Sequence, residues 1–227
     1  MLRYAVLATL LSSATLAAQS VPPVPAPAIT PAPAPADASP PVPAATPRPA
    51  TISVTLTTGL GPIVLELEKE RAPITTANFL RYVDARKLDG TTFYRALRLG
   101  PETGLIQGGI EGDPKRAFPP IAHEPTSKTG VLHTDGTISL ARLAPGTGRA
   151  DVFITVGAIP FLDAHPEKPG DNAGFAAFGH VVQGMDIVRG ILAAPTSPTK
   201  GEGVMKGQMI AAPIRILTAR RTSPATR

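Results

Sequence analysis

Apolar and polar residues alternate at the start of the ordered-looking part of the chain. Ile52, Val54 and Leu56 are apolar, and Ser53, Thr55 and Thr57 lie between them, the period of two expected of a strand with one buried face. After Gly59-Leu60-Gly61-Pro62 the run Ile63, Leu65, Leu67 is interleaved with Val64, Glu66 and Glu68, which predicts the second arm of a hairpin. Pro73 suits a first helical turn, and Ile74, Ala77, Leu80 and Val83 recur every three residues, predicting a helix with one apolar face that ends by Gly90. Short strands are expected over 91–97, 105–110, 137–143, 152–156 and 178–182, then a helix over 185–192 with Asp186 at its positive end, and a last strand over 214–218. Many short strands with only two helices imply a closed barrel or a sandwich. The pattern alone leaves both open.

Upstream of Thr51 the periodicity stops. Residues 21–49 are almost entirely Pro, Ala, Val and Thr and hold twelve of the 27 prolines, so no core can be built from them. Such a segment favours polyproline II at about 3.1 Å per residue, giving a spacer of up to roughly 90 Å; a docking motif for an aromatic groove is the other reading. Before it, Arg3 precedes the apolar run Ala5-Val6-Leu7-Ala8-Thr9-Leu10-Leu11, and the small residues Ala14, Thr15, Ala17 and Ala18 follow. This predicts a secretory signal peptide, because the run is short for about 30 Å of hydrocarbon and a cleavable region follows it. A retained anchor is the competing reading. The expected organisation is a signal peptide over 1–18, a Pro/Ala-rich linker over 19–50, one domain over 51–221 and a tail over 222–227, placing the domain in the periplasm or outside the cell, with no membrane insertion after cleavage.

Composition narrows the chemistry. With no cysteine, disulfides, thiolate metal sites and Cys nucleophiles are excluded. The formal charge of +5 comes from scattered basic residues without interleaved aromatics, so no nucleic-acid partner is expected. His123, His133, His165 and His180 show no ligand spacing, and no metal or cofactor is expected. There is no Gly-x-Ser-x-Gly elbow, and Lys200-Gly201-Glu202-Gly203 reads as a loop, not a phosphate cradle.

Five ordered segments carry more information than any of these. They are Ala72-Pro73 with Thr76-Ala77-Asn78-Phe79; Phe93-Tyr94-Arg95 with Leu105-Ile106-Gln107-Gly108-Gly109; Gly136-Thr137-Ile138-Ser139-Leu140-Ala141; Val152-Phe153-Ile154-Thr155; and Phe161-Leu162-Asp163 with the run from Phe178 to Asp186. Together they resemble the cyclophilin family across residues 51–221. The resemblance implies a mainly β fold, an eight-stranded antiparallel closed barrel capped by two α-helices, and a surface groove that isomerises X-Pro bonds. It implies Arg95 and Gln107 as catalytic residues, and Leu105, Phe153, Leu162 and Phe175 as the apolar side chains that receive the proline ring. Backbone near Ala141 would hold the peptide, with Phe161 at the family's Trp position.

Departures from the family pattern are equally specific. The stretch between Arg95 and Gln107 is longer than usual. Gly104 replaces a pocket Phe, so one wall of the proline pocket is expected to be missing. Arg142 and Asp151 replace Asn and Gln, and an ion pair between them across the groove is expected to alter peptide choice. Phe175 replaces a rim His or Tyr. The expected partners are proline-containing segments of unfolded or folding proteins, engaged by a monomer. A catalytically weak peptide-binding module of the same fold is the alternative.

Overall fold

The computed structural model describes residues 50–222; the expected signal peptide, the linker as far as residue 49 and the tail from 223 lie outside them. Eight strands run as β1 (Thr51–Thr58), β2 (Gly61–Glu68), β3 (Thr92–Arg98), β4 (Gly104–Gly109), β5 (Thr137–Leu140), β6 (Val152–Val156), β7 (Ala176–Gln183) and β8 (Met209–Thr222). Every neighbouring pair is antiparallel, and the order β1-β2-β7-β5-β6-β4-β3-β8 closes on itself through β8 and β1. Closure is the solution that leaves no unpaired edge, and it decides between the two architectures the pattern left open.

The interior is filled by the inward positions of these strands. Val54, Leu56, Ile63, Leu65, Leu67, Ile106, Ile138 and Ile154 are essentially inaccessible, as the alternation in the first hairpin predicts. Helix α1 (Pro73–Asp84) plugs one end, its Phe79 ring lying 5.4 Å from Phe178 of β7. Helix α3 (Met185–Ala193) covers the other with Val188, Ile191 and Leu192, and a single turn, α2 (Thr126–Thr129), sits in the long β4–β5 connection.

Three expectations need correction. Ile74 and Ala77 are exposed on α1, whereas Thr75, Thr76, Phe79, Tyr82 and Val83 are buried. A spacing of three falls 60° behind a 100° helical repeat at each step, so four such residues span half the circumference and cannot share one face. The strand expected over 137–143 ends at Leu140, where the Ala141 N–H turns to donate to the Asp151 carbonyl at 2.8 Å. The last strand is 14 residues long, reaches Thr222 and pairs with both β1 and β3. Its Pro213 is accommodated because Met209 and Ile214 oppose Arg95 and Phe93 across a register shift, so a missing N–H there interrupts no regular ladder.

The N-terminus of α1 is capped from a distance. Ala72 has no side chain to offer, and the buried Glu124 carboxylate accepts from the Ile74 N–H (3.1 Å), the Thr75 N–H (2.6 Å) and the Thr75 hydroxyl (2.7 Å). A negative group satisfies the orphan donors and complements the helix dipole. Asn78 Nδ2 on the same helix donates to the Arg149 carbonyl at 2.5 Å, which ties α1 to the segment after β5. That segment walls the groove described next.

Candidate active site

On the outer face of β3, β4 and β6 lies a groove of about 660 Å³. Its floor is a small apolar cluster separate from the barrel core, made by Leu105, Phe153, Ile159 and Leu162, with Leu97, Ala141 and Phe175 packed against it. The alternation that sends Ile106 into the barrel sends Leu105 and Gln107 outward, and Gln107 lies opposite both Arg95 on β3 and Phe153 on β6. Between Phe93 and Arg95 the β3 register shifts, so that Phe93 faces Gly108 and Arg95 faces Gln107, with Tyr94 extra. Phe93 therefore stays in the core while Tyr94 and Arg95 both turn toward the groove. Gly108 permits this, since a Cβ there would meet the Phe93 ring at 2.7 Å.

Arg95 is held from two sides. Its Nη1 donates to Gln107 Oε1 at 2.7 Å, and its Nε and Nη2 donate to Gln208 Oε1 at 2.8 and 2.7 Å. A guanidinium has five N–H donors, so these bonds leave one on each terminal nitrogen for a ligand in the groove. Half-burial lowers its pKa from the ordinary value, yet an arginine remains charged at any physiological pH.

Arg95, Gln107, Leu105, Ala141, Arg142, Asp151, Phe153, Leu162 and Phe175 all border this one groove. Phe161 does not. It is 65 % exposed, because the 3-10 turn Pro160–Leu162 directs Leu162 into the cluster and the preceding side chain outward.

The expected Arg142–Asp151 pair does not form. Arg142 instead makes a two-pronged contact with Asp171 (2.8 and 3.0 Å), donates to the Gly174 carbonyl, and covers the Phe175 ring with its guanidinium carbon 5.2 Å from the centroid. Phe175 meets Phe153 edge-on at 5.3 Å. Arg142 thus joins the 141–149 wall to the 171–175 wall. Asp151 points the other way, its Oδ1 accepting from the Tyr94 hydroxyl (3.3 Å) and the Glu111 N–H (2.8 Å).

Gly104 also differs from expectation. A Cβ at this position would lie 2.2 Å from the Leu97 carbonyl oxygen and 3.1 Å from Leu192, on the side of the strand away from the groove. No side chain fits there, and Leu97 completes the apolar wall instead.

Two contributors escaped the sequence reading. Leu97 follows Arg95 by two residues, and strand alternation was sufficient to place it on the same face. Gln208 lies 113 residues from Arg95, and a last strand assigned only from residue 214 gave no reason to bring it near.

Beneath the floor, His133 is inaccessible. Its Nδ1 is 2.7 Å from Asp163 Oδ1 and its Nε2 is 2.9 Å from the Ser139 hydroxyl. Burial pushes the imidazole pKa down, against the opposing effect of Asp163. The neutral tautomer with the proton on Nδ1 satisfies both contacts, Asp163 accepting and Ser139 donating.

A family model described as cyclophilin type peptidyl-prolyl cis-trans isomerase/CLD matches residues 53–220. A peptidyl-prolyl cis-trans isomerase of Acinetobacter baylyi is 36 % identical over 151 residues, covering 65 % of this chain and 76 % of the relative. One from Streptomyces antibioticus is 35 % identical over 153 residues, covering 66 % and 88 %. A solved cyclophilin-type isomerase of Cryptosporidium parvum shares the fold at a TM-score of 0.60 and 20 % identity, covering 75 % of this chain and 99 % of its own, and that structure was determined in the presence of the dipeptide Ala-Pro.

Proposed function

Because this chain belongs to the cyclophilin-type peptidyl-prolyl cis-trans isomerases, we propose that it acts on X-Pro bonds of exported proteins and assists their folding in the periplasm. The observation that carries the site assignment is the Arg95 guanidinium, fixed by Gln107 and Gln208 beside an apolar floor of Leu105, Phe153 and Leu162. The periplasmic part is supported by Arg3 and the short apolar run that follows it.

The chemistry needs no nucleophile. Rotation about the X-Pro bond breaks amide resonance, with a barrier near 20 kcal/mol, and the prolyl nitrogen regains a lone pair as its conjugation is lost. A catalyst must grip the ring and stabilise the twisted amide more than the planar one. The ring is received by the Phe153 floor, where burial of its methylenes contributes about 0.8 kcal/mol each. The remaining Arg95 N–H donors face a nitrogen that becomes an acceptor only as the bond twists, so their stabilisation is selective for the transition state. Gln107 and Gln208 hold the donors in place before substrate arrives, which removes reorganisation from the barrier.

The test is isomerisation of proline-containing peptides by the purified chain. Arg95→Ala is expected to reduce kcat/KM about 100-fold, and an unchanged rate would remove Arg95 from the mechanism. Cell fractionation of the full chain tests its location: accumulation of the uncleaved, full-length protein in the cytoplasm would reject export.

A further inference from the structure

Asp151 stands where the family resemblance implied a peptide-contacting side chain, but its contacts lead back to Arg95. From the Arg95 guanidinium, Nη1 donates to Gln107 Oε1 (2.7 Å), Gln107 Nε2 donates to the Tyr94 hydroxyl (2.8 Å), and that hydroxyl donates to Asp151 Oδ1 (3.3 Å). We propose that Asp151 is a positioning residue for catalysis, acting on Arg95 through Tyr94 and Gln107, and that its negative charge anchors the far end of a hydrogen-bond chain whose direction Arg95 sets.

The direction follows from what each group can do. A guanidinium only donates, so the Gln107 oxygen must face Arg95 and its amide NH2 must face Tyr94. The Tyr94 oxygen is then an acceptor, and its one proton is left for Asp151. An ionised carboxylate only accepts, so a cation at one end and an anion at the other permit a single arrangement of the two groups between them. Each bond also polarises the next in a partly buried setting. The chain lies at the groove: Tyr94 is 6 % exposed, and Arg95, Gln107 and Asp151 border the cavity. The β3 register shift that places Tyr94 beside Arg95 makes the path possible. At its far end Asp151 is fixed by the Glu111 N–H (2.8 Å), and Gly109 has no Cβ because one would lie 2.7 Å from Asp151 Oδ1.

Protonation of Asp151 would remove the charge and make a donor of one carboxyl oxygen. Burial pushes its pKa up, against hydrogen bonds from the Glu111 N–H, Tyr94 and the Gly112 N–H that lower it. The ionisable groups around it are Tyr94 on β3, Tyr82 on α1, Glu111 after β4 and Arg149 in its own segment, while Arg142 is turned to Asp171. Tyr94 is itself pushed up, mainly by burial, so the hydroxyl keeps its proton wherever Asp151 titrates.

This inference rests on Arg95 being the catalytic group, and the experiment separates the two. Steady-state isomerisation is measured from pH 4 to 8 on the full chain and on Asp151→Asn, Tyr94→Phe, the double variant and Arg95→Ala. Expected are a wild-type kcat that falls at acid pH, and a kcat reduced about three- to tenfold in each single variant with KM changed less than about twofold. The acid limb is lost in both, and the double variant is no slower than the worse single one, because Tyr94→Phe cuts the chain while leaving Asp151 on Glu111. Additive losses, or an acid limb that persists in both variants, would overturn the relay even if Arg95→Ala abolishes activity. An active Arg95→Ala would instead overturn the assignment beneath it.

Discussion

His133 lies stacked under Phe153, the ring centroids 5.7 Å apart and the planes only 15° from parallel. The apolar floor of the groove therefore rests on a titratable ring held by Asp163 and Ser139. Burial disfavours the charged form of the His133 imidazole and lowers its pKa, against the opposing effect of Asp163.

A stability consequence follows with a definite sign. An unfolded histidine titrates near 6.5, and the folded value is lower. Below pH 6.5 the unfolded state binds the extra proton, so stability is full above that pH and is lost progressively as pH falls toward the folded value. His180 shifts in the same direction through burial, while Asp151 shifts up and opposes both at lower pH. The informative measurement is thus the difference in urea-denaturation stability between wild type and His133→Gln across pH 5 to 8. The wild-type curve is expected to fall more steeply on the acid side, and parallel curves would show that His133 titrates alike in the folded and unfolded states.

The Glu124 cap should matter for stability and not for chemistry. Glu124→Ala leaves the Ile74 and Thr75 N–H groups and the buried Thr75 hydroxyl without their acceptor. A loss of about 2 kcal/mol is expected in denaturation, with kcat unchanged at a temperature where the variant is folded. A fall in kcat without a fall in stability would show that α1 transmits to the groove through Asn78 and Arg149.

Gln208 should behave as a catalytic support despite its distance in sequence. Gln208→Leu removes the acceptor of two Arg95 donors while preserving side-chain bulk. Hydrogen bonds from a charged group contribute about 1.5–3 kcal/mol to stability, so the denaturation midpoint is expected to fall, and kcat measured where the variant is folded is expected to drop roughly tenfold as the guanidinium loses its orientation. Unaltered kcat would mean that Gln107 alone orients the guanidinium.

How much of this was visible beforehand depended on the range of the interactions concerned. The first hairpin was legible from Ile52 to Leu67, because a period of two is local and the alternate apolar residues mark the inner face. The buried side of α1 was not, since Thr75 is drawn inside by Glu124, about 50 residues away, and Thr76 by the Glu68 carbonyl. At the site, Arg95, Gln107 and Phe153 were placed by the resemblance and do share the groove. The partner of Arg142 was misjudged because charge type suggests a pair without saying which of two acids lies within reach. Asp171 sits in the loop before β7, and only the folded path of residues 163–175 brings it beside Arg142.

That contact gives the last prediction. Arg142 spans the groove walls by pairing with Asp171 and covering Phe175, whose edge meets Phe153. Hydrogen bonding to Arg142 holds the Asp171 carboxyl below its usual value, so the pair persists at neutral pH. Asp171 is half exposed, but the Arg142 side chain is only 6 % exposed, so removing it costs packing over Phe175 and the bond to the Gly174 carbonyl as well as the pair. Arg142→Ala is expected to lower the denaturation midpoint and to leave kcat near wild type at a temperature where the variant is folded, because Arg95 and its two glutamines are untouched. KM should change, and differently for peptides with small and aromatic residues before proline, as the cover over Phe175 is removed. Equal KM shifts across a panel of X-Pro peptides would show that Arg142 contributes only general attraction, and a matching loss of kcat would place it in the catalytic machinery.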